Sequence, residues 1–331
     1  MKTSLPTRPF GKTGMEITRL GIGAWAMGGN MWGPQDDAES AAAIRHAVDL
    51  GINWIDTAAA YGVGHSEEVI GRTLKELPAD QRPFVFTKGG VIRDDNGQNP
   101  RRLAERRSLR NELENSLRRL QVETIDLYQV HWPADDVPLE DYWATMLELK
   151  SEGKVRHIGL SNHNAEQLAR AEALGHVETL QPPFSMIKRE TAAQILPWCE
   201  AHGTGVICYS PMQAGLLTGT FTRERAATLA DNDWRKTSPE FTGDKLDRNL
   251  ELAARLKPVA ERRGTSISTV ALAWVLAWPG LTAAIVGARS PQQVDGWIDA
   301  ATFELDQDDL DTIANAIAAT GAGDGPSHPR H

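Results

Sequence analysis

The sequence predicts a (β/α)8 (TIM) barrel, and three observations carry the prediction. Short β-branched or apolar runs alternate with amphipathic segments over nearly the whole chain, as parallel βαβ units require. There are eight such runs. Polar side chains fall at the C-terminal ends of seven of them, which a closed barrel can gather around one site and an open sheet cannot.

Before the first barrel strand, Arg8–Gly11 and Glu16–Leu20 flank the turn Lys12-Thr13-Gly14 and read as a β-hairpin placed to plug the lower end of the barrel. The barrel strands then end near Gly23 (RLGIG), Thr57 (NWIDT), Lys88 (FVFTK), His131 (DLYQVH), Ser161 (HIGLS), Gln181 (ETLQ), Tyr209 (GVICY) and Gly287 (AAIVG). Crossover helices are expected over Asp37–Leu50, Ser66–Leu77, Leu109–Leu120, Leu139–Lys150, Ala165–Leu174 and Ala192–His202. The first starts on an Asp pair able to cap free N–H groups and stops at Gly51, which suits a left-handed C′ position. Between Tyr209 and the eighth strand lies a long excursion, polar over Gly215–Asp244 and then helical in two stretches, of the kind that carries binding loops. Residues 1–320 are expected to form one barrel domain. The segment 321–331, GAGDGPSHPRH, lacks core-forming residues and is expected to be a disordered tail.

With 331 residues, 41% hydrophobic and 24% charged, the chain is long enough to bury a substantial core and lies outside the disordered and collagenous classes. A net charge of −9, with no long basic run, argues against nucleic-acid binding. The apolar run Val270–Leu281 contains Pro279 and Gly280 and is too short for a membrane span. Met1–Phe10 has no apolar stretch of signal-peptide length, so a cytoplasmic location is expected. Cys199 and Cys208 form neither a disulfide framework nor a metal-ligand set and read as buried thiols, and no His-x-His or HExxH ligand set is seen. The arginines at 101, 102, 106, 107 and 110 read as a solvated loop and helix face.

Asp56, Lys88 and His131 stand at three strand ends, and Tyr61 follows the first of them in a loop, so a barrel brings the four together. A phenol is a weak acid, and the Lys88 ammonium is expected to lower its pKa. Asp56 would hold Lys88 charged, and His131 would hydrogen-bond a substrate oxygen or relay its proton. Tyr61 then protonates a forming alkoxide. Trp25, Trp32 and Trp132 lie at or after strand ends and offer walls for an apolar carbonyl pocket, and Trp234 lies in the excursion.

Asp56-Thr57-Ala58-Ala59-Ala60-Tyr61-Gly62, Thr87-Lys88 and Tyr128-Gln129-Val130-His131 together resemble the aldo-keto reductase superfamily, and the likeness extends over most of the chain. The resemblance implies hydride transfer between a nicotinamide and an aldehyde or ketone, with Tyr61 as general acid/base, Asp56 and Lys88 tuning it and His131 positioning the carbonyl. It assigns Ser161, Asn162 and Gln181 to the carboxamide and Tyr209, in the stretch Tyr209-Ser210-Pro211, to stacking on the nicotinamide ring. Gly215 and Leu216 match the pyrophosphate loop, although Thr220 replaces the basic residue that often follows. Gly287, Arg289 and Gln293 match the adenosine 2′-phosphate site.

Arginine's planar, permanently charged donor set suits a phosphate, so NADPH is expected in preference to NADH, with no metal. Gly296-Trp297 replaces the usual Glu-Asn pair, with Trp297 as a stacking surface in place of a hydrogen-bonding Asn. Gly21 and Gly23 lead to Trp25 without a GxGxxG pattern, so a Rossmann site does not fit. Two other readings use the same residues: an NADPH-binding redox-sensing barrel with little turnover, and an aldolase forming a Schiff base on Lys88.

Overall fold

The computed structural model describes residues 5–29, 32, 33, 35–94 and 99–329. Strands β1 (Thr7–Pro9) and β2 (Glu16–Thr18) form the antiparallel hairpin. The barrel strands follow as β3 (Leu20–Gly23), β4 (Trp54–Asp56), β5 (Phe84–Gly89), β6 (Ile125–Val130), β7 (Val155–Ser161), β8 (Thr179–Gln181), β9 (Gly205–Cys208) and β10 (Ala283–Gly287). They are parallel and close in sequence order, with β10 returning to pair with β3.

Helices α1 (Asp37–Asp49), α2 (His65–Glu76), α3 (Arg106–Leu120), α4 (Leu139–Ser151), α5 (Ala165–Glu172) and α6 (Thr191–His202) fill the first six crossovers. Helix α1 is capped as its sequence suggests: the Asp36 carboxylate accepts from the N–H groups of Ala38 at 2.6 Å and Glu39 at 3.3 Å, and Gly51 takes φ +100°. The excursion after β9 holds α7 (Arg223–Ala227), α8 (Gly243–Arg255), α9 (Lys257–Arg262) and α10 (Ile267–Leu276), and α11 (Pro291–Asp295) and α12 (Gln307–Thr320) follow β10.

Side chains alternate along each strand, and the barrel interior shows which parity faces inward. Trp54, Phe86, Leu127, Ile207 and Ile285 fill the lower interior together with Phe10, Met15 and Ile17 of the hairpin region, which therefore plugs that end. The Trp54 indole donates to Thr18 O at 2.9 Å, and Gly21 clears the space it occupies: a Cβ there would lie 2.2 Å from the indole. Two residues farther along the same inward parity come Asp56, Lys88, Gln129 and Tyr209, with His131 beyond. The strand period thus carries the chemistry to the upper rim. The opposite parity packs a continuous apolar layer between sheet and helices.

Both cysteines are free and buried. The segment 321–329, expected to be disordered, instead lies along the chain that follows β8. Burial of the Arg189 guanidinium explains the difference, because its donors require acceptors: Nε reaches Gly325 O at 3.2 Å, Nη1 reaches Ala322 O at 2.9 Å and also Met186 O, and Nη2 reaches Gly323 O at 3.2 Å. Among the described residues, no helix is long and apolar enough to cross a membrane.

Candidate active site

Asp56 and Lys88 leave adjacent strands on the inward face, and their side chains meet with Nζ 2.6 Å from Oδ1. Both are buried. Lys88 also donates to Thr57 O at 2.8 Å, and Gln181 Nε2 donates to the other Asp56 oxygen at 2.9 Å. Burial pushes the Asp56 carboxyl above the usual range and the Lys88 amine below it, and each opposes the shift in the other.

The turn after β4 returns Tyr61 to this pair. Its ring centroid is 5.3 Å from Lys88 Nζ and 5.7 Å from the His131 ring, which it meets nearly edge-on at 77°. The expected lowering of the phenol pKa is not what this environment produces. Burial and the charge of Asp56 hold Tyr61 well above the usual phenol value, so it stands protonated. Burial, aided by Lys88 and Arg93, keeps His131 well below the usual imidazole range and therefore neutral. Its Nδ1 is buried without a hydrogen-bond partner among the described residues.

Beside this group, the ends of β7 and β9 are tied together. Asn162 Nδ2 donates to His131 O at 2.9 Å and to Ser161 Oγ at 3.0 Å, while Tyr209 OH donates to Asn162 Oδ1 at 2.7 Å. Ser161 Oγ donates to Gln181 O at 2.8 Å, which links the rim to the ion pair. Asn162 (φ +64°), Ser210 (φ +55°) and Ala214 (φ +50°) all hold left-handed backbone, a strained state for non-glycine residues that functional loops often keep. Pro211 and Leu216 anchor the same loop by burial, Gly215 turns it at φ +105°, and Gly287 is exposed at the end of β10.

Arg289 is oriented from two sides. Its backbone N–H bonds Gln293 Oε1 at 2.8 Å, its Nε bonds Gln35 Oε1, and its Nη1 bonds Trp32 O at 3.2 Å. Backbone turns and amides from β7 and β9, a half-buried tyrosine ring, and an arginine beyond β10 make a donor set that fits an elongated, anionic dinucleotide.

Trp25 stands beside the tyrosine, with Trp32 packed on it and Trp234 joining from the excursion. Trp25 lies 6.2 Å from the Tyr61 ring and stacks on Trp234 at 5.7 Å, while Trp32 meets both indoles edge-on. Trp132 is apart from this cluster, beneath the Arg102 guanidinium at 4.6 Å. Trp297, expected as a stacking surface, is instead buried in the outer core, so its ring offers no adenine platform. Sequence reasoning missed Gln35 and Arg235. The latter pairs with Asp233 at 2.6 Å and lies 4.9 Å from the Trp32 ring. Neither carries a sequence signal, because each acts through loops whose approach the sequence does not encode.

A protonated phenol, a neutral imidazole and a buried ammonium, converging at the mouth of a barrel with a dinucleotide-compatible rim, are the equipment of a nicotinamide-dependent barrel oxidoreductase. Comparison with known proteins places it more closely. Residues 19–318 match the Aldo/keto reductase family. Aldo-keto reductase YhdN of Bacillus subtilis is 39% identical over 91% of both chains. The NADH-specific methylglyoxal reductase of Escherichia coli is 34% identical over 91% of this chain and 95% of its own. The glycerol dehydrogenase AKR11B4 from Gluconobacter oxydans superposes with a TM-score of 0.87 at 34% identity, each chain fully covered. This chain belongs to the aldo/keto reductase family and is an NAD(P)H-dependent oxidoreductase.

Proposed function

We propose that the protein reversibly reduces a small aldehyde or ketone to its alcohol with NADPH, with Tyr61 as proton donor, in the cytoplasm. The observation that supports this best is the placement of Tyr61, its ring 5.3 Å from Lys88 Nζ, beside the buried Asp56–Lys88 pair. Bound nicotinamide supplies the hydride. The chain's own residues do the rest. The neutral His131 ring hydrogen-bonds the carbonyl oxygen and aims it at Tyr61. As negative charge develops on that oxygen, the phenol transfers its proton, and the Lys88 ammonium stabilises the phenolate left behind. Asp56 holds Lys88 in place and charged. Trp25, Trp32 and Trp234 exclude water and present apolar surface to the substrate.

Ser161, Asn162 and Gln181 would hold the carboxamide of a nicotinamide, Tyr209, in the stretch with Ser210 and Pro211, would stack on the nicotinamide ring, Gly215 and Leu216 would lie along the pyrophosphate, and Gly287, Arg289 and Gln293 would take the adenosine end. The NADPH preference rests on Arg289, even though one relative is named as NADH-specific. Trp132 stays a substrate-wall candidate beside His131. The test is NADPH consumption over a panel of aromatic, aliphatic and sugar aldehydes with the alcohol product quantified. One alcohol per NADPH consumed is expected. Binding of NADPH without consumption by any member would favour the redox-sensing reading.

A further inference from the structure

The inward parity of Asp56 and Lys88 leaves Thr57 and Thr87 facing outward, toward α2 and α3. Helix α2 begins four residues after Tyr61, and its first turn meets both threonines. Ser66 Oγ lies 2.9 Å from Thr57 Oγ1 and donates to Ala24 O at 2.9 Å. Thr57 is the residue whose carbonyl accepts from Lys88. Next to it, the fully buried Glu67 carboxylate accepts from Thr87 Oγ1 at 2.6 Å through one oxygen and from Arg119 Nε at 2.7 Å through the other, which also forms an ion pair with Arg119 Nη2 at 2.7 Å.

Arg119 has a second contact. Gly64 closes the turn that carries Tyr61, at φ +95°, and a Cβ there would lie only 2.5 Å from Arg119 Nε. The turn rests directly on the guanidinium. One ion pair outside the barrel wall, its carboxylate fully buried and its guanidinium half-buried, thus touches the strand of Lys88, the turn of Tyr61 and the helix that braces Thr57.

We propose that Glu67, paired with Arg119, is a positioning residue that fixes Tyr61 and Lys88 relative to one another from behind the sheet. This rests on the reductase reading above. Buried ion pairs rarely outperform apolar packing as a source of stability, so a pair at the meeting point of three catalytic elements is accounted for better by geometry than by stability. Small displacements of such groups are costly, because proton transfer requires near-contact alignment. Glu67 also contributes a negative charge that favours the Lys88 ammonium, in the same sense as Asp56.

The experiment is steady-state reduction of an aldehyde by the full chain across a pH series. Wild type, Glu67→Gln, Thr87→Val and Thr87→Ser are compared, with NADPH affinity read from tryptophan fluorescence. Glu67→Gln and Thr87→Val should lower kcat about tenfold. KM and NADPH affinity should stay within about twofold of wild type. Thr87→Ser, which keeps the hydroxyl, should retain most of kcat. Glu67→Gln should also shift the alkaline decline of kcat to lower pH, because Lys88 loses a supporting charge. Unchanged kcat and pH profile in the two disruptive variants would overturn the proposal and leave the reductase reading intact. A wild type that turns over no aldehyde would overturn both. If Glu67→Gln does not fold, Thr87→Val carries the test, since it leaves the Glu67–Arg119 pair in place.

Discussion

Removing one partner of the Asp56–Lys88 pair should do more damage to stability than removing both. The charged atoms are 2.6 Å apart and buried. At an effective dielectric of about 20, unit charges at that spacing attract by about 6 kcal/mol. Desolvation of the two ions costs several kcal/mol each, so the intact pair contributes little net stability. Among the described residues, Lys88→Met leaves a buried carboxylate with Gln181 as its remaining side-chain donor, and Asp56→Asn leaves a buried ammonium with neutral acceptors. Each should destabilise by about 3–5 kcal/mol. Asp56→Asn combined with Lys88→Met removes both charges at similar volume and should return to within about 2 kcal/mol of wild type. Turnover should stay at least about a hundredfold down in the double variant, because the ammonium that stabilises the phenolate is gone. Urea unfolding followed by tryptophan fluorescence at pH 7, beside NADPH-coupled rates, measures both. Additive losses in the double variant would refute the reasoning, as would a catalytically normal Lys88→Met.

Arg289→Ala should weaken NADPH about ten- to a hundredfold, the value of a charge-assisted contact to phosphate, and NADH by no more than about threefold. Fluorescence titration checks this, and equal losses would remove the 2′-phosphate assignment. Glu112 yields a pH prediction. Burial raises its carboxyl to about 7, against the opposing hydrogen bond from Gly90 N–H. The folded state then binds more protons than the unfolded state between about pH 4.5 and 7, so stability falls as pH rises through that window, by about 3 kcal/mol in all. Glu112→Gln should flatten that slope, and parallel stability curves for the two proteins would contradict the assignment.

Much of this molecule was legible because period-2 strands end in recognisable chemistry. Asp56, Lys88, His131, Ser161 and Tyr209 mark strand ends directly, and the same parity that buries Trp54 and Phe86 sends Asp56 and Lys88 to the rim. The cap at Asp36 and the stop at Gly51 were local signals as well. What depended on three-dimensional surroundings was harder to read. Lys88 close to Tyr61 suggested a lowered phenol pKa, yet burial and Asp56 decide the direction. Segment 321–329 looked featureless because the donors that hold it belong to Arg189, far away in sequence. Trp297 reads as a stacking surface where an Asn would hydrogen-bond, and is instead a core residue. Glu67 reads as an ordinary acid in a helix's first turn, because its partners Arg119 and Thr87 come from elements distant in sequence.

The central claim is that Tyr61 donates the proton. Tyr61→Phe keeps the ring and its contacts but removes the transferable hydrogen. With an aldehyde that the wild type reduces, kcat should fall by about a thousandfold or more while NADPH affinity is unchanged. Comparable turnover in the two proteins would contradict the account.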